Sequence, residues 1–599
     1  MGFHVIVRSA AIGRFERIVV ENSAACRPGT SSKAFSVSRR SGGGGGGAPP
    51  APPPVPPALC VETGGRLAAT GEVLDPLTDA DLDALATRLT ELAPSAVAVT
   101  LLFSFLDPAH ERRIAAHLAA ALPGVFVCAS ADVLPEIREF ERGIATWLNA
   151  SVGPLMDGYL ARLDAAVAPA RLSVMQSSGL ACAPGWAGRH AVNLLLSGPA
   201  GGVQGARFVA GLTGTERVLT FDMGGTSTDV AFIAGEPLLT TEGRIGPWPV
   251  GVSMVDVHTI GAGGGSLARV DEGGLLRVGP ESAGARPGPA CYAQGGTQPP
   301  VTDAHVVLGR VPAKARLAGE LPLDAAAAAR AFVPLAAALG ASVEDVAQGV
   351  IDLANEHMHQ ALRVMSVARG HDPREAELLS FGGAGGLHVC ELADSLGMRA
   401  ALVPATAGVL SALGMLAVGP GRQQVASVRL RLDQVASAML EARYAALDAE
   451  ARRELAADGV VDGVHVTRTV DLCYEGQSTA LNLPWQPVAS LAEAFHAAHL
   501  ARYGHRLDAP VQLVALRRRL QATPPPLRLP RRAEAPVGVP ATGHVHGFGL
   551  VPVWTREALP ADALAGPLIV TDATGTTWVA PGWHVRVDEW GSLRLARAG

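Results

Sequence analysis

Apolar positions along the first part of the chain switch between helical and strand spacing. Residues 96–105 form an apolar run typical of a buried strand, and residues 125–128 form the next one. A helix is predicted before each strand, the first capped by Thr78 and the second starting at Asp107-Pro108. Their apolar faces are Leu82, Leu85, Leu89 and Leu92, and then Ile114, Leu118 and Leu122. This alternation predicts an α/β fold with a doubly wound sheet.

The pattern changes further along the chain. Apolar spacing from Val343 to Leu362 predicts a long helix ending near Gly370, followed by a strand before Phe381. Beyond about residue 422 we expect a β-rich C-terminal domain, residues 422–599, with one helical insert. Its predicted strands are residues 425–430, 466–472, 568–571 and 585–587.

Residues 219–233 predict a strand, a glycine turn and a second strand. The first strand ends at Asp222, Gly224 and Gly225 are expected to turn with positive φ, and Val230 resumes the β pattern. The amides of Gly225, Thr226 and Ser227 are candidates for an anion nest, and Asp222 and Asp229 are candidate ligands for Mg²⁺ or its waters. An ordinary tight hairpin with acidic edges is the alternative.

Similar glycine loops occur at residues 260–266 and 380–388, each after an apolar segment. A fourth glycine-rich stretch, residues 196–205, predicts a turn that opens a helix of small residues. The helix dipole would favour an anion there, but close packing through the glycines accounts for the same pattern.

The N-terminal segment has a different composition. Residues 1–40 are rich in Ser and Arg, and they are followed by six glycines at 42–47 and a proline-rich run ending at Pro57. Such a sequence buries little apolar surface, so residues 1–60 are expected to be disordered or non-native in packing. A transit peptide is conceivable, and a truncated or frame-shifted reading frame explains more.

Composition limits the classes of partner. The 599 residues allow about four domain-sized units. A net charge of −6 and 5% aromatic residues argue against nucleic-acid binding.

Seven scattered cysteines without a C-x-x-C pair indicate reduced thiols and a cytoplasmic location. Residues 400–421 carry no charge, but Pro404 and several glycines favour a strand, a turn and a short helix over a membrane span.

Several other side chains could have either a role in a site or a purely structural role. Asp256 and His258 precede the triple glycine and either belong to a site or hydrogen-bond within a loop. His388 either contacts a ligand or caps the next helix. His357 and His359, two apart on a helix, do not face each other. Cys291 is favoured as a buried side chain over a nucleophile.

Together these motifs resemble the A subunit of the ATP-dependent hydantoinase/oxoprolinase family. The resemblance covers roughly residues 61 to 599. The motifs that carry it are the Asp222 hairpin and residues 134–142, 196–202, 256–266, 277–284, 287–292 and 301–304.

The resemblance implies an actin, sugar-kinase and Hsp70-like ATPase core with an incomplete first lobe. The implied divisions are residues 61–130, a remnant of the N-terminal domain, and residues 131–421, the ATPase core. Members normally carry a first phosphate hairpin near the N-terminus, and none is found before Thr100. Because one half of the nucleotide clamp is missing, we expect the chain alone to hydrolyse ATP very slowly or not at all, even with a cyclic amide present.

The resemblance also implies the chemistry. The A subunit would use ATP and Mg²⁺ to phosphorylate a five-membered cyclic amide of the hydantoin or 5-oxoproline type, and a B-type partner subunit would direct water at the activated carbon. Asp222, Asp229 and His258 are the catalytic candidates, with the two aspartates as metal ligands. The nucleotide-binding candidates are Gly224, Gly225, Thr226, Ser227, Gly263, Gly264, Gly382, Gly383 and Gly385.

Two alternatives stay open. The ATP-using subunit of an acetone- or acetophenone-carboxylase-like complex shares these loops. A catalytically impaired interaction subunit would account for the missing first hairpin.

Overall fold

A computed structural model describes residues 4–9, 55–312, 316–317, 321–524, 526–533 and 538–598, with the backbone alone for residues 4–9, 316–317 and 321. It divides into two compact units, each built from three stretches of chain. The first unit comprises Met1–Ser197, Thr240–Met254 and Gly419–Thr523. The second unit comprises Gly198–Leu239, Val255–Val418 and Pro524–Gly599. Residues 422–599, predicted as one C-terminal domain, are divided between the two units after Thr523.

A four-stranded parallel sheet forms the core of the first unit. Its strand order is Cys60–Thr63, His4–Ser9, Ala96–Val99 and Phe126–Ala129. All four residues of Ala96–Val99 are buried, as expected for a strand covered on both faces. The run predicted as a strand over residues 96–105 is shorter in the structure, since the chain turns after Val99.

His4–Ser9 differs from the prediction for residues 1–60. These six residues form an interior strand of the sheet, paired with strands on both sides. The run Val5-Ile6-Val7 is β-branched, and such residues favour strands. The glycine and proline run lies mostly in residues 10–54, outside the described residues.

The helices of the first unit follow the predicted periodicity. Thr78 caps the first of them, because its hydroxyl accepts a hydrogen bond from the Asp81 amide while the Asp81 carboxylate accepts one from the Thr78 amide. Leu82, Leu85 and Leu89 are buried as expected. The helices are Asp79–Leu92, Ala109–Ala121, Ser130–Val133, Glu139–Val167, Pro184–Arg189, Ser437–Ala457 and Val488–Tyr503.

An antiparallel sheet completes the first unit. Its strand order is Gly421–Arg431, Val511–Ala522, Val464–Tyr474 and Leu481–Pro484. The buried Arg517 guanidinium ties this sheet to the segment before Glu139–Val167, with Nε 2.7 Å from Asp471 and Nη1 2.9 Å from Glu136. Shorter strands are Arg66–Leu67, Val73–Asp75, Val174–Met175, Ala181–Cys182, Gly243–Ile245 and Trp248–Val250.

A nine-stranded mixed sheet dominates the second unit. Six strands of this unit are labelled β1 (Arg217–Met223), β2 (Thr228–Ala234), β3 (His258–Ile260), β4 (Ser266–Val270), β5 (Leu276–Ser282) and β6 (Glu377–Phe381). The sheet order is Glu236–Pro237, β2, β1, β6, Ala400–Val403, Leu593–Arg597, Trp583–Val587 and Leu564–Ala565, and β3 pairs with β2. Strands β4 and β5 form a separate hairpin.

Helix α1 (Val343–Met365) packs against β2, β3 and β5. The Ser342 hydroxyl caps it by accepting a hydrogen bond from the Asp345 amide, and Gly370 follows with φ of 81°, so the predicted long helix is confirmed. The other helices are Ser197–Thr213, Val301–Val307, Ala325–Leu339, Val389–Ser395 and Leu410–Leu416. The remaining strands are Leu239–Thr240, Met254–Val255, Arg316–Leu317, Leu321–Pro322, Ala541–Val545, Gly549–Thr555, Leu568–Thr571 and Thr576–Val579. Both units are thus mixed α/β.

The helix Ser197–Thr213 supports the packing explanation of its glycines. A Cβ added to Gly202 would lie 2.7 Å from the Phe381 ring, and one added to Gly201 would lie 2.8 Å from the Ser411 carbonyl oxygen. Only glycine allows this approach between the helix and its neighbours.

The uncharged run of residues 400–421 forms the strand Ala400–Val403, a turn and the helix Leu410–Leu416, as predicted. Within the described part of the chain, no single helix is long and apolar enough to cross a membrane. One sharply bent pair, Ala325–Leu339 with Val343–Arg369, meets the criteria of length and composition.

Candidate functional site

The Asp222 hairpin is formed by β1 and β2. In its register Asp222 lies directly opposite Asp229. Opposite residues of an antiparallel pair project to the same face, with Cβ atoms about 5 Å apart. The hairpin therefore brings the two predicted metal ligands together on one face of the sheet.

The turn between the strands differs from its prediction in one respect. Neither Gly224 nor Gly225 has a positive φ. The glycines provide space instead: a Cβ on Gly225 would meet nothing within 4 Å. The face of the turn is open to a ligand.

The amides at the tip are available to an anion. The Gly224 amide donates to the Ser227 carbonyl at 3.1 Å. Across the described residues, the amides of Gly225, Thr226 and Ser227 have no backbone acceptor. Adjacent unpaired amides are the elements of an anion nest.

Burial of the carboxylates makes their charge costly. Burial, with the neighbouring Asp229, raises the pKa of Asp222 to about 6. Burial also raises the pKa of Asp229, while the Thr259 hydroxyl, which donates to its Oδ1 at 2.6 Å, acts in the opposite direction. Two like charges side by side favour protonation of one of them or binding of a cation.

The glycine loop at residues 260–266 clamps the hairpin. The amides of Gly264 and Gly265 donate to the carbonyl oxygens of Gly224 and Gly225 at 2.9 and 2.6 Å. A Cβ on Gly263 would lie 2.8 Å from the amide nitrogens of Thr226 and Ser227. Gly263 and Gly264 thus have a packing role, and their contact with nucleotide stays a prediction.

The glycine loop at residues 382–386 supports the hairpin from β6. The Ala384 amide donates to the Met223 carbonyl at 3.2 Å. Gly382 has φ of 78°, and a Cβ there would collide with the Asp222 carboxylate. A Cβ on Gly385 would lie 2.5 Å from the Ser380 hydroxyl. Of the three predicted nucleoside contacts in this loop, Gly383 is exposed and free of such packing.

His258 is not brought to the carboxylates. Strand β3 pairs His258 with Val230 and Thr259 with Asp229. Because side chains alternate along a strand, His258 points to the face opposite Asp229. Thr259 takes the position beside the carboxylates, and sequence reasoning missed it. Which face each side chain of β3 takes depends on its pairing with β2, so no local sequence signal indicated Thr259.

His388 belongs to a buried network and caps no helix through its side chain. Its Nδ1 lies 2.6 Å from Asn355 Oδ1 and its Nε2 lies 3.0 Å from His305 Nε2. The Asn355 amide donates to Glu391, so its oxygen faces His388 and His388 Nδ1 carries a proton. His388 Nε2 then accepts from His305, and both rings are neutral. Burial lowers the pKa of His388 to about 3.

This histidine predicts loss of stability in acid. The folded pKa of about 3 lies below the unfolded value of 6.5, so the contribution is present above pH 6.5 and is lost as pH falls towards 3. From pH 7 to pH 5 we expect a loss of about 2 kcal/mol in the free energy of unfolding of the second unit. Urea unfolding at both pH values, for the natural chain and His388→Gln, measures it. An equal pH slope in both proteins would contradict the assignment.

The other candidate groups have structural roles. Cys291 is fully buried, and burial with the adjacent Asp303 raises the pKa of its thiol, which argues against a nucleophile. Asp256 is buried and pairs with Arg369 at 2.6 Å. His357 lies on the exposed side of α1, while His359 bonds to Ser395.

The carboxylate pair fits Mg²⁺. Magnesium is typically held by one or two carboxylates together with waters and substrate phosphates. Asp222 and Asp229 supply such oxygens beside an anion nest, and no described residue donates a hydrogen bond to Asp222. No group of three or more His, Cys, Asp or Glu side chains suited to a metal occurs among the described residues.

Comparison with known proteins connects this geometry to one family. A model described as hydantoinase/oxoprolinase matches residues 142–420, and one described as the hydantoinase/oxoprolinase N-terminal region matches residues 46–122. The chain is 36% identical over 574 residues to the caprolactamase subunit alpha of Pseudomonas jessenii, covering 90% of this chain and 82% of that protein.

Two further relatives match this chain over a smaller share of their own length. Identity to 5-oxoprolinase 1 of Arabidopsis thaliana is 32%, covering 87% of this chain and 44% of that protein. Identity to the acetophenone carboxylase gamma subunit of Aromatoleum aromaticum is 32%, covering 69% of this chain and 59% of that protein.

Among solved structures, the ATP-dependent caprolactamase from Pseudomonas jessenii superimposes with a TM-score of 0.86 at 32% identity, covering all of this chain and 89% of that one.

Proposed function

The chain belongs to the hydantoinase/oxoprolinase family, and on that premise we propose that it is the ATP-using subunit of a cyclic amide hydrolase. The observation that carries the proposal is the Asp222 hairpin. It combines unpaired amides at an open tip with two carboxylates on one face. We assign to it the binding of the ATP phosphates.

The reaction follows from the chemistry of the amide. Resonance makes a cyclic amide a poor electrophile, so its oxygen first receives the γ-phosphoryl group of ATP. The bond between the γ-phosphorus and its bridging oxygen breaks, and a bond to the amide oxygen forms. A first water then attacks the activated carbon and the ring C–N bond breaks, which leaves an acyl phosphate and a free amine. A second water hydrolyses the acyl phosphate and releases phosphate. Cyclic amide, ATP and two waters yield the open amino acid, ADP and phosphate.

Positioning and charge neutralisation dominate phosphoryl transfer. The amides of Gly225, Thr226 and Ser227 would bind phosphate oxygens. Asp222 and Asp229 would hold Mg²⁺, which when bound neutralises charge on the phosphates. Gly383 is the glycine of its loop most accessible to the nucleoside. The ATPase fold of the actin, sugar-kinase and Hsp70 type is part of this proposal.

A partner subunit completes the proposed enzyme. The related caprolactamase chain is named a subunit alpha, which supports a hetero-oligomer with a B-type subunit that directs water. We place the complex in the cytoplasm, since the cysteines described by the structure are free and mostly buried.

The experiment is a phosphate-release assay of the chain with and without a B-type subunit. Hydantoin, 5-oxoproline, caprolactam, and acetone or acetophenone with bicarbonate are offered separately. We expect one cyclic amide to raise Mg²⁺-dependent phosphate release by at least about 10-fold in the presence of the partner, because activation and hydrolysis are then coupled.

The alternatives give different results. Stimulation only by a ketone with bicarbonate would assign the chain to the carboxylase-like complexes. Binding of the B-type subunit without turnover on any substrate would indicate the impaired interaction subunit. Either result would overturn the proposed hydrolase.

A further inference from the structure

A cavity lies on the side of β3 away from the carboxylates, within the second unit. Its volume is about 610 Å³, within the range of small-molecule sites. His258 and Ile260 of β3 form one wall, the β4–β5 hairpin forms a second, and helix α1 forms a third. The site is distinct from the phosphate hairpin because His258 and Asp229 point to opposite faces of the sheet.

The polar side chains that line this cavity are cationic or neutral. They are Arg269, Arg277, His258, His357 and Gln360, and no aspartate or glutamate belongs to its lining. Leu276, Val278, Leu353 and Val364 add apolar surface to the lining. Cationic and neutral donors around an apolar floor suit a ligand with an anionic end and a hydrocarbon body.

The two arginines are positioned to bind the anion. Arg269 and Arg277 lie directly opposite each other in the β4–β5 register, so they project to the same face. Each has a carboxylate neighbour at Nε, Glu281 at 3.6 Å and Asp271 at 2.8 Å. Exposed pairs of this kind contribute about 0 to 1 kcal/mol. The Nη groups of the two arginines donate no hydrogen bond to another described residue.

Helix α1 contributes two polar side chains, His357 and Gln360, to the cavity lining. His357 and Gln360 are three residues apart on α1, which places them on neighbouring positions of one face. Both are exposed, and both line the cavity with His258 across from them. The polar groups of the lining thus come from three separate parts of the unit, β3, the β4–β5 hairpin and α1.

We propose that this cavity is a second binding site, for a small aliphatic carboxylate held by Arg269 and Arg277. The inference goes beyond the proposed hydrolase and does not depend on it. Strand β3 connects the two sites, because Thr259 bonds to Asp229 on one face while His258 lines the cavity on the other.

The test is calorimetric titration of the full chain with glutarate, without nucleotide, and with the neutral glutaramide as the matched probe. We expect glutarate to bind and glutaramide to bind at least 10-fold more weakly. In the double variant Arg269→Gln, Arg277→Gln, glutarate affinity should fall by about 10-fold or more, since charged hydrogen bonds are lost. Arg330→Gln, on an exposed helix position outside the cavity, should bind like the natural chain.

Each outcome decides the proposal. Absence of glutarate binding at 10 mM, equal binding of the diamide, or equal binding by the double variant would overturn it. Both arginines are about half exposed, so their replacement should leave the fold intact. The exposed His357→Ala provides an independent variant, expected to weaken glutarate binding while MgATP binding stays unchanged.

Discussion

Replacing Asp222 by Asn is expected to weaken MgATP binding by at least about 10-fold, since losing even a group that supports a metal ligand costs about 10- to 100-fold in metal affinity, while stabilising the nucleotide-free chain. The folded pKa of about 6 lies above the model value of 3.8. The ionised carboxylate therefore costs stability as pH rises through 6, and costs none below 3.8. The full cost at pH 7 is about 3 kcal/mol, and Asn removes it.

The measurements are calorimetric titration with MgATP and urea unfolding at pH 7 and pH 4. The stability gain should be present at pH 7 and should fall below about 1 kcal/mol at pH 4. Asp372→Asn is the matched control, because the exposed Asp372 bonds to Arg374 and its pKa is lowered to about 2. That variant should gain no stability and should bind MgATP normally. Normal MgATP affinity in folded Asp222→Asn would refute the role of the hairpin.

Replacing Gly382 by Ala is expected to destabilise the second unit by about 2 to 4 kcal/mol. A Cβ there would lie 2.5 Å from the Met223 carbonyl oxygen and would collide with the Asp222 carboxylate. The φ of 78° adds a left-handed conformation that Ala adopts at a cost of about 1 kcal/mol. The displaced Asp222 should also reduce ATP turnover in the complex.

Gly383→Ala is the control for that variant. A Cβ at Gly383 would be 3.6 Å from the Thr574 carbonyl oxygen, an ordinary contact, so its stability should stay within about 1 kcal/mol of the natural chain. Urea unfolding followed by tryptophan fluorescence compares the two variants. Equal midpoints would show that the loop adjusts and that Gly382 does not set the position of Asp222.

The sequence predicts the part of the site that is local in the chain. Asp222 and Asp229 are seven residues apart on one hairpin, so strand periodicity alone places them together. His258 belongs to a third strand, and its face is set by pairing with β2, which no local pattern records. For the same reason the prediction identified His258 and missed Thr259 one position along.

Long-range packing also decided what the glycines do. Of the glycines predicted to touch nucleotide in the loops at residues 260–266 and 380–388, the structure places Gly263, Gly264 and Gly382 against the hairpin backbone. The neutral pair His305 and His388 is separated by 83 residues, so no spacing rule indicates it. Each unit is likewise built from segments that are far apart in the chain, so chain order alone does not show which segments pack together.

The order of strands in the nine-stranded sheet bears on folding during synthesis. Val403 pairs with Leu593, and at about 5–20 residues per second the ribosome needs roughly 10–40 s to make the intervening 190 or so residues. Throughout that interval the apolar strand Ala400–Val403 has an open edge. Unpaired apolar edges recruit other chains. The nascent chain is therefore prone to aggregate through this edge until the last strands are made and cover it. Chaperone supply and growth temperature should govern the yield of soluble protein.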